Sequence, residues 1–450
     1  MKQDTIAAIA TAPGAGGIGI IRISGPEAES ILKKVFHPAG KIMDTRPESH
    51  RMMYGRLADH GETLDECMAV LMRAPKSYTR EDVAEIHLHG GPYLIRRGLE
   101  VCLQEGARLA EAGEFTRRAF LNGRVDLSQA EAVMNLISAR GEQERKAAVR
   151  QMDGGAASFI RILSDKLYTL QAGLAACIDY PEEISDEEGA GTLREGLLQL
   201  IEEIDQSIDE HSSRLIYEGL QAALYGRPNV GKSSLLNALL GEERAIVTDI
   251  PGTTRDTIQG EITVNGIRLW LTDTAGIHET SDPVERIGVE RSEKAMQNAD
   301  IALLILDGSE ELDETDRKLL LGLQADSAVV INKTDLPAVI SEETVRGIRP
   351  GITCMTVSAM KPESLQPLRE YLYHFAEVSD HLAITQPRHL DAVKRATKHL
   401  KDALATIDAF TPDLAATDLQ AAQEALSEIT GDHADEKLLD QVFSRFCVGK

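Results

Sequence analysis

The sequence predicts a multidomain protein with an N-terminal α+β domain, an all-α helical domain and an α/β domain that has a mostly parallel sheet. Three observations predict this class. The 450 residues exceed one usual domain of roughly 100–200 residues. Strand-like and helix-like segments alternate from Tyr217 to about Phe375, which favours a parallel sheet covered by helices. Helix-like sequence flanks that block, so insertion of the α/β domain into one helical domain is the economical organisation, while two separate helical domains stay possible.

Composition and charge narrow the function classes. The chain is 42% apolar and 27% charged, which fits neither a disordered nor a membrane-spanning protein. Its net charge of -24 disfavours sequence-blind coating of nucleic acid, so a nucleic-acid substrate would need a local patch or a partner. Five widely spaced cysteines predict no disulfide framework and fit a reducing cytosol. Glycines interrupt the first apolar stretch, so we expect a cytoplasmic protein without a signal peptide.

Four consecutive regions follow from the residue patterns. Residues 1–123 contain short apolar runs separated by turn residues, as in an α+β domain. Residues 124–215 are rich in Ala, Leu, Glu and Gln and predict the first part of the helical domain. Residues 216–378 form the predicted inserted domain, in which Asn265-Gly266 indicates a β-hairpin. Residues 379–450 predict the second helical part and end in FCVGK.

The strongest chemical motif is GRPNVGKS at residues 226–233, between a predicted strand and a predicted helix. Backbone amides of such a loop can wrap phosphate oxygens, and Lys232 can reach the β and γ phosphates. The Ser233 hydroxyl can bind Mg²⁺. A glycine-rich turn that only caps a helix is a poor alternative, because the whole motif follows a strand and precedes a helix.

Guanine recognition is predicted at NKTD, residues 332–335, which follow an apolar strand. The carboxylate of Asp335 can accept hydrogen bonds from N1–H and the 2-amino group of guanine, a pattern that adenine lacks. Alone this motif is equally consistent with an ordinary turn. About 100 residues after a phosphate loop it indicates a guanine site, with Ser358, Ala359 and Met360 near the base by likeness to the same fold.

The remaining nucleotide contacts are expected in two loops. Asp273, at the start of DTAG, can hold Mg²⁺ through water. The segment from Thr248 to Asp256 has the composition of a switch loop, in which Thr254 is the second Mg²⁺ hydroxyl. No glutamine follows DTAG, so we predict that Glu285 orients the catalytic water, although a first-turn helix acid would look the same. The predicted GTP-binding residues are Asn229, Val230, Gly231, Lys232, Ser233, Ser234, Thr248, Asp249, Ile250, Pro251, Gly252, Thr253, Thr254, Asp273, Thr274, Ala275, Gly276, Asn332, Lys333, Thr334, Asp335, Ser358, Ala359 and Met360.

These motifs, together with EDVAEIHLHGG, GEFTRRAFLNGRVDLSQAEAV, VERIGVER and the terminal FCVGK, resemble the MnmE (TrmE) family of tRNA modification GTPases. The resemblance covers essentially the full length. It implies an N-terminal domain similar to a tetrahydrofolate-binding domain, a helical domain, and a P-loop GTPase domain inserted in the helical one.

The resemblance also implies a mechanism and partners. Family GTPases are activated by dimerisation around K⁺, which here would be bound by Asn229, Thr248, Ile250 and Thr253. The implied complex is a homodimer that joins the flavoprotein MnmG as a heterotetramer. FAD and NADH are expected on that partner. The implied activity is installation of an aminomethyl or carboxymethylaminomethyl group at C5 of the wobble uridine, using GTP and a folate one-carbon unit.

A tetrahydrofolate derivative, in the 5-formyl or 5,10-methylene form, is implied near Arg22, Glu81, Arg124 and Lys450. The glycines at 14–19 fit GxGxxG, but the following IGIIRIS predicts a strand where a dinucleotide site needs a helix.

A regulatory G protein of ribosome assembly or trafficking is the alternative function for the whole chain.

Overall fold

Two β-sheets organise the part of the chain that the computed structural model describes. The described residues are 4–39, 47–180, 186–242, 259–273, 299–324, 327–379, 384–409 and 412–450. They divide into two compact units. Unit 1 comprises residues 1–137, 150–200 and 392–450, and unit 2 comprises residues 138–149 and 201–391.

Unit 1 contains a seven-stranded sheet of order β3-β4-β5-β6-β2-β1-β7. Its strands are β1 (Ile6–Ile9), β2 (Gly19–Ser24), β3 (Phe36–Pro38), β4 (Met53–Asp59), β5 (Glu62–Met72), β6 (Val83–Leu88) and β7 (Arg108–Leu109). All neighbours pair antiparallel except β1 and β7. The glycine-rich residues 14–19 lead directly into strand β2, antiparallel to β1, which confirms that the GxGxxG pattern is not followed by a dinucleotide-binding helix.

Helices occur in both units. They are α1 (Ala28–Val35), α2 (Pro92–Gln104), α3 (Glu114–Leu121), α4 (Leu127–Ser138), α5 (Glu142–Met152), α6 (Gly155–Asp179), α7 (Asp186–Ser207), α8 (Glu210–Glu218), α9 (Lys232–Glu242), α10 (Glu314–Leu321), α11 (Glu342–Ile348), α12 (Gln366–Phe375), α13 (Pro387–Ala409), α14 (Ala416–Thr430) and α15 (Glu436–Phe443). Among the helices that the structure describes, none is long and apolar enough to cross a membrane.

The C-terminal tail packs on the N-terminal sheet within unit 1. Val448 forms an isolated antiparallel bridge with Ala112. Gly449 has a φ of 100°, and a Cβ atom there would lie 2.1 Å from the carbonyl oxygen of Ile9. Only a glycine allows this close backbone approach. The last residue, Lys450, is therefore brought to strands β1 and β2.

Unit 2 contains a six-stranded sheet of order β13-β12-β11-β8-β10-β9. Its strands are β8 (Leu220–Tyr225), β9 (Gln259–Val264), β10 (Ile267–Asp273), β11 (Ile301–Asp307), β12 (Ser327–Asn332) and β13 (Thr353–Thr356). Only β9 and β10 pair antiparallel. The mostly parallel sheet is thus confirmed.

The β9–β10 turn has the backbone expected of its sequence. Asn265 has a φ of 50° and Gly266 a φ of 77°, the left-handed pair that a tight hairpin requires. The predicted Asn-Gly hairpin is confirmed.

The central strands of this sheet are buried on both faces. Leu224, Leu303 and Val330 belong to one apolar cluster. Their chain neighbours Tyr225, Leu304 and Ile331 belong to the cluster on the opposite face. Continuous apolar strands are the expected result when helices cover both faces of a parallel sheet.

Residues 138–149 pack within unit 2, against the β9–β10 hairpin. The amide of Gln143 donates to the carbonyl of Gly266 at 3.1 Å. Arg140 pairs with Glu261 at 2.7 Å, and the guanidinium of Arg268 is ion-paired with the carboxylate of Glu144. These contacts hold the turn of the hairpin.

Candidate functional site

The carboxyl edge of the parallel sheet gathers the predicted phosphate and guanine motifs. The phosphate loop follows β8, Asp273 ends β10, and NKTD begins at the last residue of β12. Asp273 lies in register with Leu224 of β8. Ligands of open α/β sheets bind at this edge, because the loops after several strands meet there.

The phosphate loop has the backbone conformation that its glycines suggest. Gly226 has a φ of 143°, and a Cβ atom there would lie 2.4 Å from the carbonyl oxygen of Ile305. Asn229 and Gly231 also have positive φ, at 62° and 96°. Asparagine is among the few side chains that tolerate this region. The loop therefore has a fixed backbone shape, which a phosphate-binding loop needs.

Lys232 lies inside the phosphate loop. Its side chain is buried, and Nζ donates to the carbonyl oxygens of Gly226 and Arg227 at 2.8 Å each. Ser233 follows as the second residue of α9 and is exposed. The structure thus brings together an ammonium group, a hydroxyl group and the start of a helix, which together suit a polyphosphate.

The guanine loop is connected to the phosphate loop by Asn332. This side chain is 1% exposed; its Nδ2 donates to the carbonyl of Val230 at 2.9 Å, and its Oδ1 accepts from the amide of Ala359 at 3.1 Å. Asn332 therefore joins three loops of the predicted site. Its structural role explains why an asparagine, with one donor and one acceptor end, is needed there.

The neighbouring residues of NKTD are equally constrained. Lys333 has a φ of 64°, and its Nζ lies 2.5 Å from Oδ2 of Asp307 at the end of β11. Burial alone would raise the pKa of Asp307, but hydrogen bonds from Lys333 and Ser309 outweigh it and hold that pKa below its ordinary value. Asp307 is a partner that sequence reasoning did not identify.

Asp335 presents the carboxylate predicted to bind guanine. The hydroxyl of Ser358 donates to its Oδ1 at 2.5 Å, and this bond lowers the pKa of Asp335. The Ser358 hydroxyl also accepts from the amide of Met360, whose side chain is largely exposed. The carboxylate is thus ionised and held in one orientation at neutral pH, as recognition of the two guanine donors requires.

Several predicted residues lie outside the described part of the chain. For Asp273 only the backbone is described. The others are Thr248, Asp249, Ile250, Pro251, Gly252, Thr253, Thr254, Thr274, Ala275, Gly276 and Glu285. Their contacts with GTP, Mg²⁺ and K⁺ stay predictions.

A second polar cluster lies in unit 1 around Tyr78. The guanidinium carbons of Arg22 and Arg124 lie 5.6 Å and 4.7 Å from the centroid of the Tyr78 ring. Arg22 also pairs with Glu85 at 2.8 Å and donates to the carbonyl of Gly449 at 3.4 Å. This brings two of the predicted folate residues, Arg22 and Arg124, to one aromatic ring.

Lys450 belongs to the same neighbourhood. Burial lowers the pKa of its ammonium, the charge of Arg22 lowers it further, and Glu85 opposes both. Arg22 and Glu85 lie directly opposite each other in the β2–β6 register. Sequence reasoning missed Tyr78 and Glu85, although the alternation of β6 placed Glu85 and His87 on one face.

Glu81, the fourth residue predicted to bind folate, has partners other than Arg22, Arg124 and Lys450. Its carboxylate accepts from the hydroxyl of Ser24 at 2.7 Å and lies 3.3 Å from the guanidinium of Arg118. Arg118 in turn pairs with Asp4 and Glu114. Glu81 is therefore part of an internal network whose other members sequence reasoning did not identify.

Comparisons with known proteins agree along the whole chain. The family model "GTP-binding protein TrmE N-terminus" matches residues 5–124, and "MnmE helical domain" matches residues 127–447. The "tRNA modification GTPase MnmE" of Bacillus velezensis is 45% identical over 100% of both chains. The protein of the same name from Bacillus subtilis is 44% identical, again over 100% of both. The G domain of the T. maritima FeoB iron transporter is 28% identical with a TM-score of 0.29, over 35% of this chain and 99% of that one, so the full-length relatives carry the assignment.

Proposed function

The chain belongs to the MnmE family of tRNA modification GTPases, and on this premise we propose that it hydrolyses GTP to drive a change at the tRNA wobble uridine. The proposal that the chain binds GTP is supported by the hydrogen bond from Asn332 to Val230, which joins the loop proposed to bind guanine to the phosphate loop. The full-length relatives carry the tRNA part, since their names state tRNA modification.

GTP hydrolysis transfers the γ-phosphoryl group to water. The water oxygen bonds to the γ-phosphorus, the bond from that phosphorus to the β–γ bridging oxygen breaks, and a water proton passes to solvent. Lys232, buried in the loop, offsets charge on the β and γ phosphates. We assign the orientation of the attacking water to Glu285. Asp335 selects guanine through a carboxylate held by Ser358.

The residues fit two metal ions. The exposed Ser233 hydroxyl is the hard oxygen ligand that Mg²⁺ prefers, and we assign Thr254 and a water-mediated contact from Asp273 to the same ion. Asn229 is exposed in the phosphate loop and offers a carboxamide oxygen for K⁺, with Thr248, Ile250 and Thr253. When bound, both ions offset charge that develops between the β and γ phosphates. Hydrolysis should be much faster in KCl than in NaCl at equal ionic strength; equal rates would reject the K⁺ assignment.

The cluster around Tyr78 supports a folate site. Tetrahydrofolate derivatives carry a flat ring system and carboxylates, and the cluster offers an aromatic ring with the cations Arg22, Arg124 and Lys450. We assign these residues to a 5-formyl or 5,10-methylene derivative, which supplies the one-carbon unit when bound. We also assign Glu81 to this site, and its carboxylate is held by Ser24 and Arg118.

The acidic surface bears on the partners. With a net charge of -24, much of the grip on tRNA phosphates must come from another protein. We propose that the chain forms a homodimer, joins the MnmG flavoprotein in a heterotetramer in the cytoplasm, and leaves FAD and NADH to that partner.

A strain that lacks this protein tests the function. Nucleosides of its tRNA should lack the aminomethyl or carboxymethylaminomethyl group at C5 of the wobble uridine, and the intact gene should restore it. Mass spectrometry measures both. Unchanged wobble uridines together with a defect in ribosome assembly would favour the regulatory G protein instead.

A further inference from the structure

Arg227, the second residue of the phosphate loop, binds a group of carboxylates next to the loop. Its Nε lies 3.0 Å from Oδ2 of Asp313, and its Nη1 lies 2.9 Å from Oδ2 of Asp316. Glu310 lies further away, at 3.7 Å from Nη2. All three acids belong to the segment that follows β11 and begins α10. The guanidinium therefore connects the phosphate loop to a helix of the same unit.

The carboxylates are themselves held rigidly. Asp313 and Asp316 form a reciprocal capping box, with the amide of Asp316 donating to Oδ1 of Asp313 at 2.8 Å. The side chain of Asp316 is nearly fully buried, and its Oδ1 has no hydrogen-bond partner among the described residues. Arg227 donates a hydrogen bond to Oδ2 of Asp316, and this bond raises the pKa of Arg227. Burial of a carboxylate is costly unless a paired charge, here this guanidinium, offsets its loss of water.

The backbone of Arg227 makes a second contact, within the phosphate loop. Its carbonyl accepts from Nζ of Lys232 at 2.8 Å, and Asn229 follows two residues later in a left-handed conformation. Asn332 holds the later part of the loop through Val230. The Arg227 side chain holds the earlier part from outside the loop, in addition to the bonds that Lys232 makes within it. The two contacts involve different parts of the unit, since Asp316 lies on α10 and Asn332 ends β12.

We propose that Arg227 is a positioning residue for GTP hydrolysis, which fixes the first half of the phosphate loop so that Asn229 and Lys232 are aligned for the reaction. The effect on K⁺ rests on the proposed function, because Asn229 is there assigned to that ion. The effect on turnover does not, because Lys232 lies in the loop whatever cation is used.

The test replaces the ion pair without leaving a buried charge. The double variant Arg227→Met with Asp316→Leu removes both charges of the pair. Arg227→Lys keeps both charges but replaces the planar guanidinium with an ammonium group. Arg317→Ala, an exposed arginine on the same helix, is the matched control. Thermal unfolding shows whether each variant is folded, and a fluorescent GDP analogue reports nucleotide affinity.

For the double variant we expect a folded protein whose turnover falls by about ten- to hundredfold, since small misplacements have effects of this size. The KCl concentration for half-maximal rate should rise, GDP affinity should change far less, and Arg227→Lys should be intermediate. The proposal would be overturned if the folded double variant had the same turnover and the same K⁺ dependence as the Arg317→Ala control. A wild-type rate independent of K⁺ would reject only the cation assignment, because turnover still decides the role of Arg227. If the double variant does not fold, unchanged turnover in folded Arg227→Lys overturns it and reduced turnover at wild-type GDP affinity supports it.

Discussion

The side-chain amide of Asn332 donates to the carbonyl oxygen of Val230 at 2.9 Å, although the two residues are 102 positions apart in the chain. One belongs to the guanine-reading motif and the other to the phosphate loop. The bond is buried, so the two loops that are predicted to bind guanine and phosphate are in direct contact.

Asn332→Ala tests this link. The substitution leaves the Val230 carbonyl and the Ala359 amide without their partner, and each unsatisfied buried group costs about 1–3 kcal/mol. We expect unit 2 to unfold at lower denaturant concentration and GDP to bind more weakly. Asn237→Ala, at an exposed position on α9, is the matched control. Wild-type GDP affinity in Asn332→Ala would contradict the link.

Asp335→Asn tests guanine recognition. The amide of Asn cannot accept both guanine donors, and each hydrogen bond to a charged group is worth about 1.5–3 kcal/mol. GTP affinity should therefore fall by about a hundredfold or more. The affinity for xanthosine triphosphate should rise, because xanthine carries a carbonyl at C2 that accepts a hydrogen bond from the new amide.

The control for Asp335 is Ser358→Ala, which removes the hydroxyl 2.5 Å from Oδ1 but keeps the carboxylate. This variant should bind GTP somewhat more weakly than the wild type does. It should still prefer GTP to xanthosine triphosphate. If Asp335→Asn still preferred GTP, the guanine assignment would be wrong.

Much of the nucleotide site could be predicted because its signals are local. Gly226, Asn229 and Gly231 are residue types that tolerate positive φ, which all three adopt. The dipeptide Asn265-Gly266 is typical of a tight hairpin turn. The partners of these loops could not be predicted. Asp316 and Asp307 come from other strands and helices, so their pairing with Arg227 and Lys333 depends on the sheet order.

Two further features depend on contacts that are distant in sequence. Residues 138–149 follow a helical pattern, yet they pack in unit 2 because Gln143 and Glu144 meet a hairpin more than 100 residues later. Glu81 was selected for folate, and no local pattern indicates that Ser24 and Arg118 already occupy its oxygens.

Glu29→Gln tests the electrostatics of unit 1. Arg73 lowers the pKa of Glu29 from 4.5 to about 2; burial opposes this shift and Lys33 adds to it. A lowered acid pKa adds stability above the unfolded value, and that stability is lost as pH falls from about 4.5 to about 2. We expect the substitution to cost about 1–2 kcal/mol at pH 7, after allowance for solvent screening, and almost nothing near pH 2.

Urea unfolding of unit 1 across this pH range measures the effect. Glu62→Gln, an exposed acid on β5, should show no comparable pH-dependent loss. A difference between wild type and Glu29→Gln that is constant with pH would exclude the ion pair as its cause.

Arg124→Ala tests the folate cluster. The guanidinium covers the Tyr78 ring and donates to the Tyr78 carbonyl at 2.7 Å. Loss of one cation that faces an anionic ligand should lower the affinity for 5-formyltetrahydrofolate about tenfold or more, as measured by calorimetry. GTP turnover should not change.

Arg96→Ala, an exposed arginine on α2, is the control for the folate measurement. Equal folate affinity in Arg124→Ala and Arg96→Ala would remove Arg124 from the proposed site.

Reconstitution shows whether GTP hydrolysis by this chain drives wobble-uridine modification, as we propose. Purified chain, the MnmG flavoprotein, unmodified tRNA, the folate derivative, GTP and KCl are combined, and the tRNA nucleosides are measured by mass spectrometry. The wild type should form the C5-modified wobble uridine, and Lys232→Ala should form about a hundredfold less, since it lacks the ammonium in the phosphate loop. Equal product with Lys232→Ala, or without GTP, would contradict the account.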